Sequence, residues 1–516
     1  MKRRRSVLGF DWTIPLVAVT AILAGLSAAI SIVYLDSALM WLAGMAGIGV
    51  LIGTLLSLDW GLCVLIFIGY TRASDVAVHY YGAPSIITPY ILLLVGLIVL
   101  RWMVYRRRPE GWEKPSLLVG LYGITVFLSV VYADAFSLSV DAMIIFAKDA
   151  MIAIVIAILV RQKESMNYAL WALMAAGAFL GLLSIIQYTS GNFSSNFGGF
   201  ADANIMHISG ESHEYRIMGT FGDPNAYAQI MVAIVPLAII RFFDERKFIL
   251  KALAGFIIVI SVMTVVLTFS RGGFISLVMV LGLCLLWWRP PFFVYILIVL
   301  AVIVVLPFLP AEYTDRIATL LDYLPGAGND LTAEYSFRGR ISEYMTGILM
   351  FLDHPIIGVG KEHYPLEYQN YSRQLGIDPR SEMRSPHSLF IEVLAEQGIL
   401  GFGVFLLLLF SIFFGIRRAH RQFSQAGLPQ YANMAVSIGL GIAGYFSSSI
   451  FLHASYPRNM WILVGLALGI SEMANREFIR FQVNSEDEKR IENIKRRLSV
   501  IKKTEDNSLV REAGVK

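Results

Sequence analysis

The chain has 516 residues, 56% of them hydrophobic and 16% charged, with a formal net charge of +4 and a mean hydropathy of +0.64. A soluble domain carries about a quarter charged residues, so this balance excludes a soluble enzyme and points to an integral membrane protein. Cys63 and Cys284 both sit in apolar runs, which excludes a disulfide framework, and the basic clusters abut apolar segments, which argues for topology and against nucleic acid as a partner.

Lys2 to Arg5 precede an apolar run long enough to span, read as a retained first helix and not a cleaved signal. Runs of about 17–23 apolar residues predict spans near 13–33, 37–58, 60–78, 84–103, 116–133, 139–160 and 166–187. The second half adds spans near 225–242, 248–268, 273–288, 291–309, 396–416, 431–452 and 459–474. The expected fold is all-α: a polytopic membrane helix bundle of about twelve to fourteen spans, the lower count applying if one hairpin of the N-terminal half does not cross.

Lysine and arginine mark every second connection: Arg101 to Arg108, Arg161 to Lys163, Arg241 to Lys251, Arg289, and Arg417 to Arg421. With both termini cytoplasmic, this is a positive-inside pattern, and it places the 310–395 loop outside. Residues 188–224 are also external and contain only Arg216 as a cation. Within the loop, Ile341, Tyr344, Met345, Ile348, Leu349 and Leu352 recur with a helical period, predicting an amphipathic helix over Arg340 to Asp353 on the membrane surface or capping a cavity. The tail from Arg476 is of mixed charge, a solvated helix in its first half and disordered at its end.

The candidates for chemistry gather at the external face. Arg271, in Thr268-Phe269-Ser270-Arg271-Gly272-Gly273, lies where one span ends and the next begins, and a guanidinium there is either paired, lining a hydrated cavity, or snorkelling. Arg338 and Arg340 stand at the start of the loop helix, where amides and a guanidinium can hold an anion such as phosphate. His387 precedes the apolar run that re-enters the membrane and can serve as a general base once a neighbour fixes its tautomer. Glu392 and Glu396 follow it at helical spacing and could orient it or pack against other helices. His354 and His363 are weaker candidates, and Pro224-Asn225 is most simply a helix start. No external cluster has metal-ligand spacing, and no nucleotide-binding pattern is present.

Taken together, Gly219-Thr-Phe-Gly-Asp-Pro-Asn225, Leu267-Thr-Phe-Ser-Arg-Gly-Gly273, Gly339-Arg340 with Tyr344, His354-Pro-Ile-Ile-Gly-Val-Gly360 and Pro386-His387 through Gly401 resemble the bacterial O-antigen ligase and polymerase family of membrane glycosyltransferases. Where that family has His-Asn, this chain has His387-Ser388, and its usual tryptophan is Tyr344. The resemblance implies transfer of a glycan from a polyprenyl-diphosphate carrier to a glycan or lipid acceptor hydroxyl at the outer face of the bacterial inner membrane, without cofactor, metal or nucleotide sugar. It implies catalytic roles for Arg271, Arg340 and His387, and substrate contacts for Arg216, Arg338, Ser388 and Asn225. The partners it implies are the lipid-linked donor, the acceptor, the bilayer and other membrane proteins of polysaccharide assembly. The chain then divides into N-terminal helices (1–190), a ligase- or polymerase-like membrane domain (191–475) that includes the loop, and a charged cytoplasmic tail (476–516). The alternative is a multi-span transporter of a small anion such as bicarbonate; against it, ionisable residues in mid-span are scarce and the unusual residues collect at the outer surface. A third reading, a scaffold for envelope assembly, has only the tail in its favour.

Overall fold

A computed structural model of the chain describes residues 38–106, 111–160, 162–205, 215–289, 291–293, 295–296, 331–377, 383–453 and 457–513. The architecture is all-α, as expected. Helices α1 (Ala38–Leu56), α2 (Leu58–Thr71), α3 (Ala73–Tyr81), α4 (Ile87–Tyr105), α5 (Glu113–Val131), α6 (Phe136–Leu159) and α7 (Lys163–Ser190) lead to a short antiparallel hairpin, β1 (Ala203–Ile205) and β2 (Tyr215–Ile217), with Asn204 opposite Arg216. Helices α8 (Pro224–Asp244), α9 (Phe248–Leu267) and α10 (Arg271–Trp288) follow. The loop supplies α11 (Leu331–Asp353) and α12 (Tyr364–Leu375), and α13 (Leu389–Gln425), α14 (Pro429–Ser448) and α15 (Pro457–Ala513) close the chain.

Among the described residues, eight helices are long and apolar enough to cross a membrane, and the pair α2–α3, bent by 56°, is by length and composition a broken span or a re-entrant loop. Helix α14 and the start of α15 occupy the expected positions near 431–452 and 459–474. The expected span at 13–33, residues 297–309 of the one at 291–309, and residues 310–330 and 378–382 of the loop lie outside the described residues.

Helix α8 is apolar all round and forms the bundle's centre; 78% of its spanning window is buried, and it packs against α7, α9, α10 and α14. Helix α15 reaches α6 through Gly465 and Gly469, one turn apart, where an added Cβ at 465 would stand 2.7 Å from the Ala153 carbonyl oxygen. Small residues allow this approach, and dispersion then holds the pair together in a solvent as apolar as their side chains.

The span expected near 60–78 is broken at Arg72, whose backbone is left-handed (φ 57°). The guanidinium explains the break. Arg72 Nε meets Asp75 at 2.9 Å, and Nη1 donates to the Thr220 carbonyl at 2.8 Å. Arg458, at the head of α15, binds Asp75 at 3.1 Å and Asp149 at 3.3 Å. Asp149 lies inside α6 with its side chain 2% exposed, a place a carboxylate occupies only when paired.

Helix α15 runs unbroken from the expected span into the tail as far as Ala513, including the end expected to be disordered. Residues 476–513 contain neither glycine nor proline and are rich in Glu, Lys and Arg, which favour helix.

Arg458→Gln strips Asp149 of its cation. It is expected to destabilise the protein by roughly 2 kcal/mol, discounted because Asp75 is a third exposed. Thermal unfolding in detergent should show the loss, and adding Asp149→Asn should recover most of it; an unchanged midpoint in Arg458→Gln would remove the network's structural role.

Candidate functional site

Several helix starts meet at one end of the bundle, and the sequence builds each locally. In the first motif, Asp223 accepts from the Asn225 amide at 2.7 Å and Pro224 fills the first turn, so that Gly-Asp-Pro-Asn is the cap of α8. In the second, Ser270 caps α10 by accepting from the Gly273 amide at 3.1 Å, and its hydroxyl donates to Asn225 Oδ1 at 2.8 Å. The turn between α9 and α10 is tight enough to force buried Phe269 to a φ of 52°, a strained conformation for a non-glycine residue. That turn places Arg271 at the first position of α10, half-buried, while buried Arg216 donates from Nε to the Thr268 carbonyl at 2.8 Å. Arg216, Asn225 and Arg271 therefore surround one turn, with Arg216 and Asn225 in its framework.

The second group comes from α11 and the segment before α13. Helix α11 begins earlier than the periodicity suggested, and its apolar stripe is partly outward: Met345 and Leu352 are 39% and 61% exposed, while Ile341, Tyr344, Ile348 and Leu349 are half-buried. Its opposite, polar face is buried, with Ser342, Glu343 and Thr346 fully covered. Glu343 Oε2 lies 2.6 Å from His387 Nδ1, and its Oε1 accepts from Arg384 Nη1 at 2.7 Å. Tyr344 donates to the His387 carbonyl at 3.1 Å and to the Ile450 carbonyl at 3.0 Å, and the Tyr364 hydroxyl donates to the Glu343 carbonyl. Arg340, half-buried, stands one turn before Glu343 and within electrostatic reach of Tyr344. Arg338 is exposed and bonded to the Ile377 carbonyl at 3.2 Å, away from this cluster's hydrogen bonds. Ser388 is buried at the start of α13, and its side chain makes no capping bond.

The turn after α14 joins the two groups. Leu389 donates its amide to Ser449 and Leu452 carbonyls, Ile450 receives Tyr344, and Phe451 packs over Gly272 beside Arg271. The His453 ring stands edge-on to His387 with centroids 6.3 Å apart.

Two further motifs act as a splice. Helix α13 is broken at Gly398 (φ 59°, ψ −163°), and the segment Pro355 to Gly360 pairs with the broken backbone. Val359 and Gly360 amides donate to Ala395 and Glu396 carbonyls at 3.0 and 3.1 Å, and Ile399 and Leu400 amides donate to Pro355 and Ile356 carbonyls at 2.8 and 3.2 Å. A Cβ on Gly358 would lie 2.2 Å from the Glu396 carbonyl carbon, and one on Gly398 would lie 2.4 Å from that of Ile356.

Glu392 and Glu396 do not orient His387. They hold Lys361, at 3.3 and 2.8 Å, and Glu362 adds a third carboxylate at 3.3 Å. Burial disfavours the ammonium, but Glu362, Glu396 and Glu392 outweigh it and carry the Lys361 pKa well above the ordinary value; the same ammonium lowers that of Glu362. His363 is a buried structural residue, accepting from the Ala135 amide at 2.8 Å, whereas His354 is exposed.

Chemically, a buried carboxylate on Nδ1 fixes the His387 tautomer and leaves Nε2 as the basic nitrogen. Sequence reasoning missed Glu343 because the helical period puts it opposite the apolar stripe, on a face expected to be wet. It missed Arg384 because an arginine three residues before a histidine in a loop carries no periodic signal.

Residues 256–406 match the family model described as O-antigen ligase. The match bears out the resemblance read from the motifs and supports a role in glycan transfer for a multi-pass membrane protein. It contains Arg271, Arg340, Glu343, Arg384 and His387, and it excludes Arg216 and Asn225. No curated protein matches the chain.

Gly398→Ala is expected to destabilise the splice by about 3 kcal/mol or more, because both the backbone region and the space exclude a Cβ. Limited proteolysis should then cut the 354–363 segment in the variant faster than in the wild type; equal rates would mean that the break is tolerant.

Proposed function

We propose that this chain of the O-antigen ligase family is a glycosyltransferase of the bacterial inner membrane. It moves or polymerises a glycan from a polyprenyl-diphosphate carrier onto an acceptor hydroxyl at the outer face. The observation that carries the reading is the buried Glu343 carboxylate at 2.6 Å from His387 Nδ1, on the same helix as Arg340.

In this reading the acceptor O–H proton passes to His387 Nε2 as the oxygen attacks the anomeric carbon. The bond from that carbon to the diphosphate oxygen breaks, and its electron pair leaves with the diphosphate. Arg340 and Arg271 hold the charge that develops there, since a guanidinium presents fixed paired donors to phosphate oxygens. The family resemblance gives this reaction no cofactor. Arg216 braces Arg271 through the Thr268 carbonyl, and Asn225 does so through Ser270. Arg338 and Ser388 are left as acceptor contacts at the edge of the site. The basic connections lie on the cytoplasmic side, and the α11–α12 cap faces the periplasm. The outward apolar stripe of α11 suits a helix resting on the outer leaflet, beside which a polyprenyl tail can enter from the bilayer.

The broken span α2–α3 favours the transporter alternative, because transporters place ligands at such breaks. Here, however, Arg72 and Arg458 are matched by Asp75 and Asp149, so the break is neutral and internally paired.

His387→Ala and Arg340→Ala should each abolish surface glycan with normal membrane insertion, and Glu343→Gln should lower transfer about a hundredfold by losing the tautomer. Gels of surface and carrier-linked glycan check this. Long chains stranded on the carrier identify a ligase, and single repeats identify a polymerase. Normal glycan in the His387 and Arg340 variants, with anion uptake into proteoliposomes that Arg458→Ala abolishes, would transfer the assignment to a transporter.

A further inference from the structure

A carboxylate beside an imidazole has two effects that oppose each other in a base. It orients the ring, and it favours the protonated form, which cannot accept a proton. In this site the carboxylate is divided: one oxygen of Glu343 takes His387 Nδ1 at 2.6 Å, and the other takes Arg384 Nη1 at 2.7 Å. Both oxygens are thereby fixed on a side chain that is 1% exposed, while Arg384 and His387 are 24% and 36% exposed, so solvent screens only the outer side of each contact.

We infer that Arg384 is a positioning residue that shares the Glu343 carboxylate with His387, locking the carboxylate's rotation and balancing its charge so that the imidazole is oriented while still free to take a proton. The inference deepens the reading of His387 as the base and rests on it.

Other charged or titratable groups stand on the described elements packed around the ring. Arg340 and Tyr344 lie on α11, the latter bonded to the His387 carbonyl. His453 faces the ring from the turn after α14, and Glu362, from the loop before α12, acts on His453. Among the described residues, Arg384 is the cation that touches the carboxylate that touches His387, so its charge reaches His387 through a shared partner.

The test needs no glycan. Purified full-length protein is treated with diethyl pyrocarbonate across pH 5–8, and modification of the His387 peptide, which requires the neutral imidazole, is read by mass spectrometry. Removing a cation near the carboxylate favours the imidazolium. Arg384→Gln should therefore move the midpoint of labelling upward by about 0.5–1 pH unit. Arg384→Lys, which keeps the charge, should stay close to the wild type, and Glu343→Gln should move the midpoint downward. An Arg384→Gln profile that superimposes on the wild type overturns the inference, as does an Arg384→Lys variant displaced as far as Arg384→Gln. If Arg384→Gln is not recovered folded, an unmoved midpoint in Glu343→Gln overturns it equally. An unmoved Arg384→Gln midpoint together with an inactive His387→Ala would sink the inference alone and leave the glycosyltransferase reading standing.

Discussion

A backbone entering hydrocarbon has no water to bond, so every amide and carbonyl must find a partner within the protein. The break in α13 at Gly398 sets this demand, and the Pro355 to Gly360 segment meets it with four backbone hydrogen bonds. Each bond contributes about 1 kcal/mol net, but leaving its groups bare would cost about 1–3 kcal/mol. The pairing therefore fixes where the segment lies. That segment continues directly from α11 and leads into α12, so the splice also determines where α11 sits over the start of α13. Glu343 lies on α11, and His387 stands two residues before α13. Their contact at 2.6 Å depends on a backbone junction that contains neither residue.

The polarity of α11 follows from the same arrangement. Its buried face carries Ser342, Glu343, Thr346 and Gly347, and small side chains there let α11 come close to α13, where a Cβ on Gly347 would press to 2.4 Å from Ile391. The cap is completed by a small core of its own, Met350, Tyr364, Tyr368, Tyr371 and Ala395, separate from the main bundle core. A helix that buries polar groups and turns leucine outward would be unstable on a soluble protein. It is reasonable where hydrocarbon replaces water on its outer side.

Much of the bundle was legible because a spanning helix has a length and a composition that few other elements share. Expected spans such as those near 139–160, 225–242 and 248–268 agree with α6, α8 and α9 to within a few residues. The break at Arg72 was not legible, since it follows from contacts with Asp75 and Thr220, the latter 148 positions away. In the site, Arg271, Arg340 and His387 stood out by charge in an apolar setting. Glu343 did not, because amphipathic period reports which face is apolar and not which solvent lies beyond it. For Glu392 and Glu396, helical spacing left two roles open, orienting His387 or packing against another element; both bind Lys361, a single ammonium that they share with Glu362.

The first 190 residues carry no recognisable motif, yet the motif-bearing half leans on them. Arg72 holds the Thr220 carbonyl in the turn before α8. Tyr122 accepts from Gln397 at 3.0 Å beside the Gly398 break, and Ser139 donates to the Lys361 carbonyl at 2.8 Å. The Ala135 amide is satisfied by His363. Apart from Arg72, each of these contacts uses a common polar group, and several partners of similar shape could replace it without altering the chemistry. Arg340, Glu343 and His387 have no such latitude, because charge, reach and donor geometry must all be right together. Recognisable sequence therefore concentrates between Gly219 and Gly401, while bracing residues that aim it are scattered through helices that look like ordinary spans.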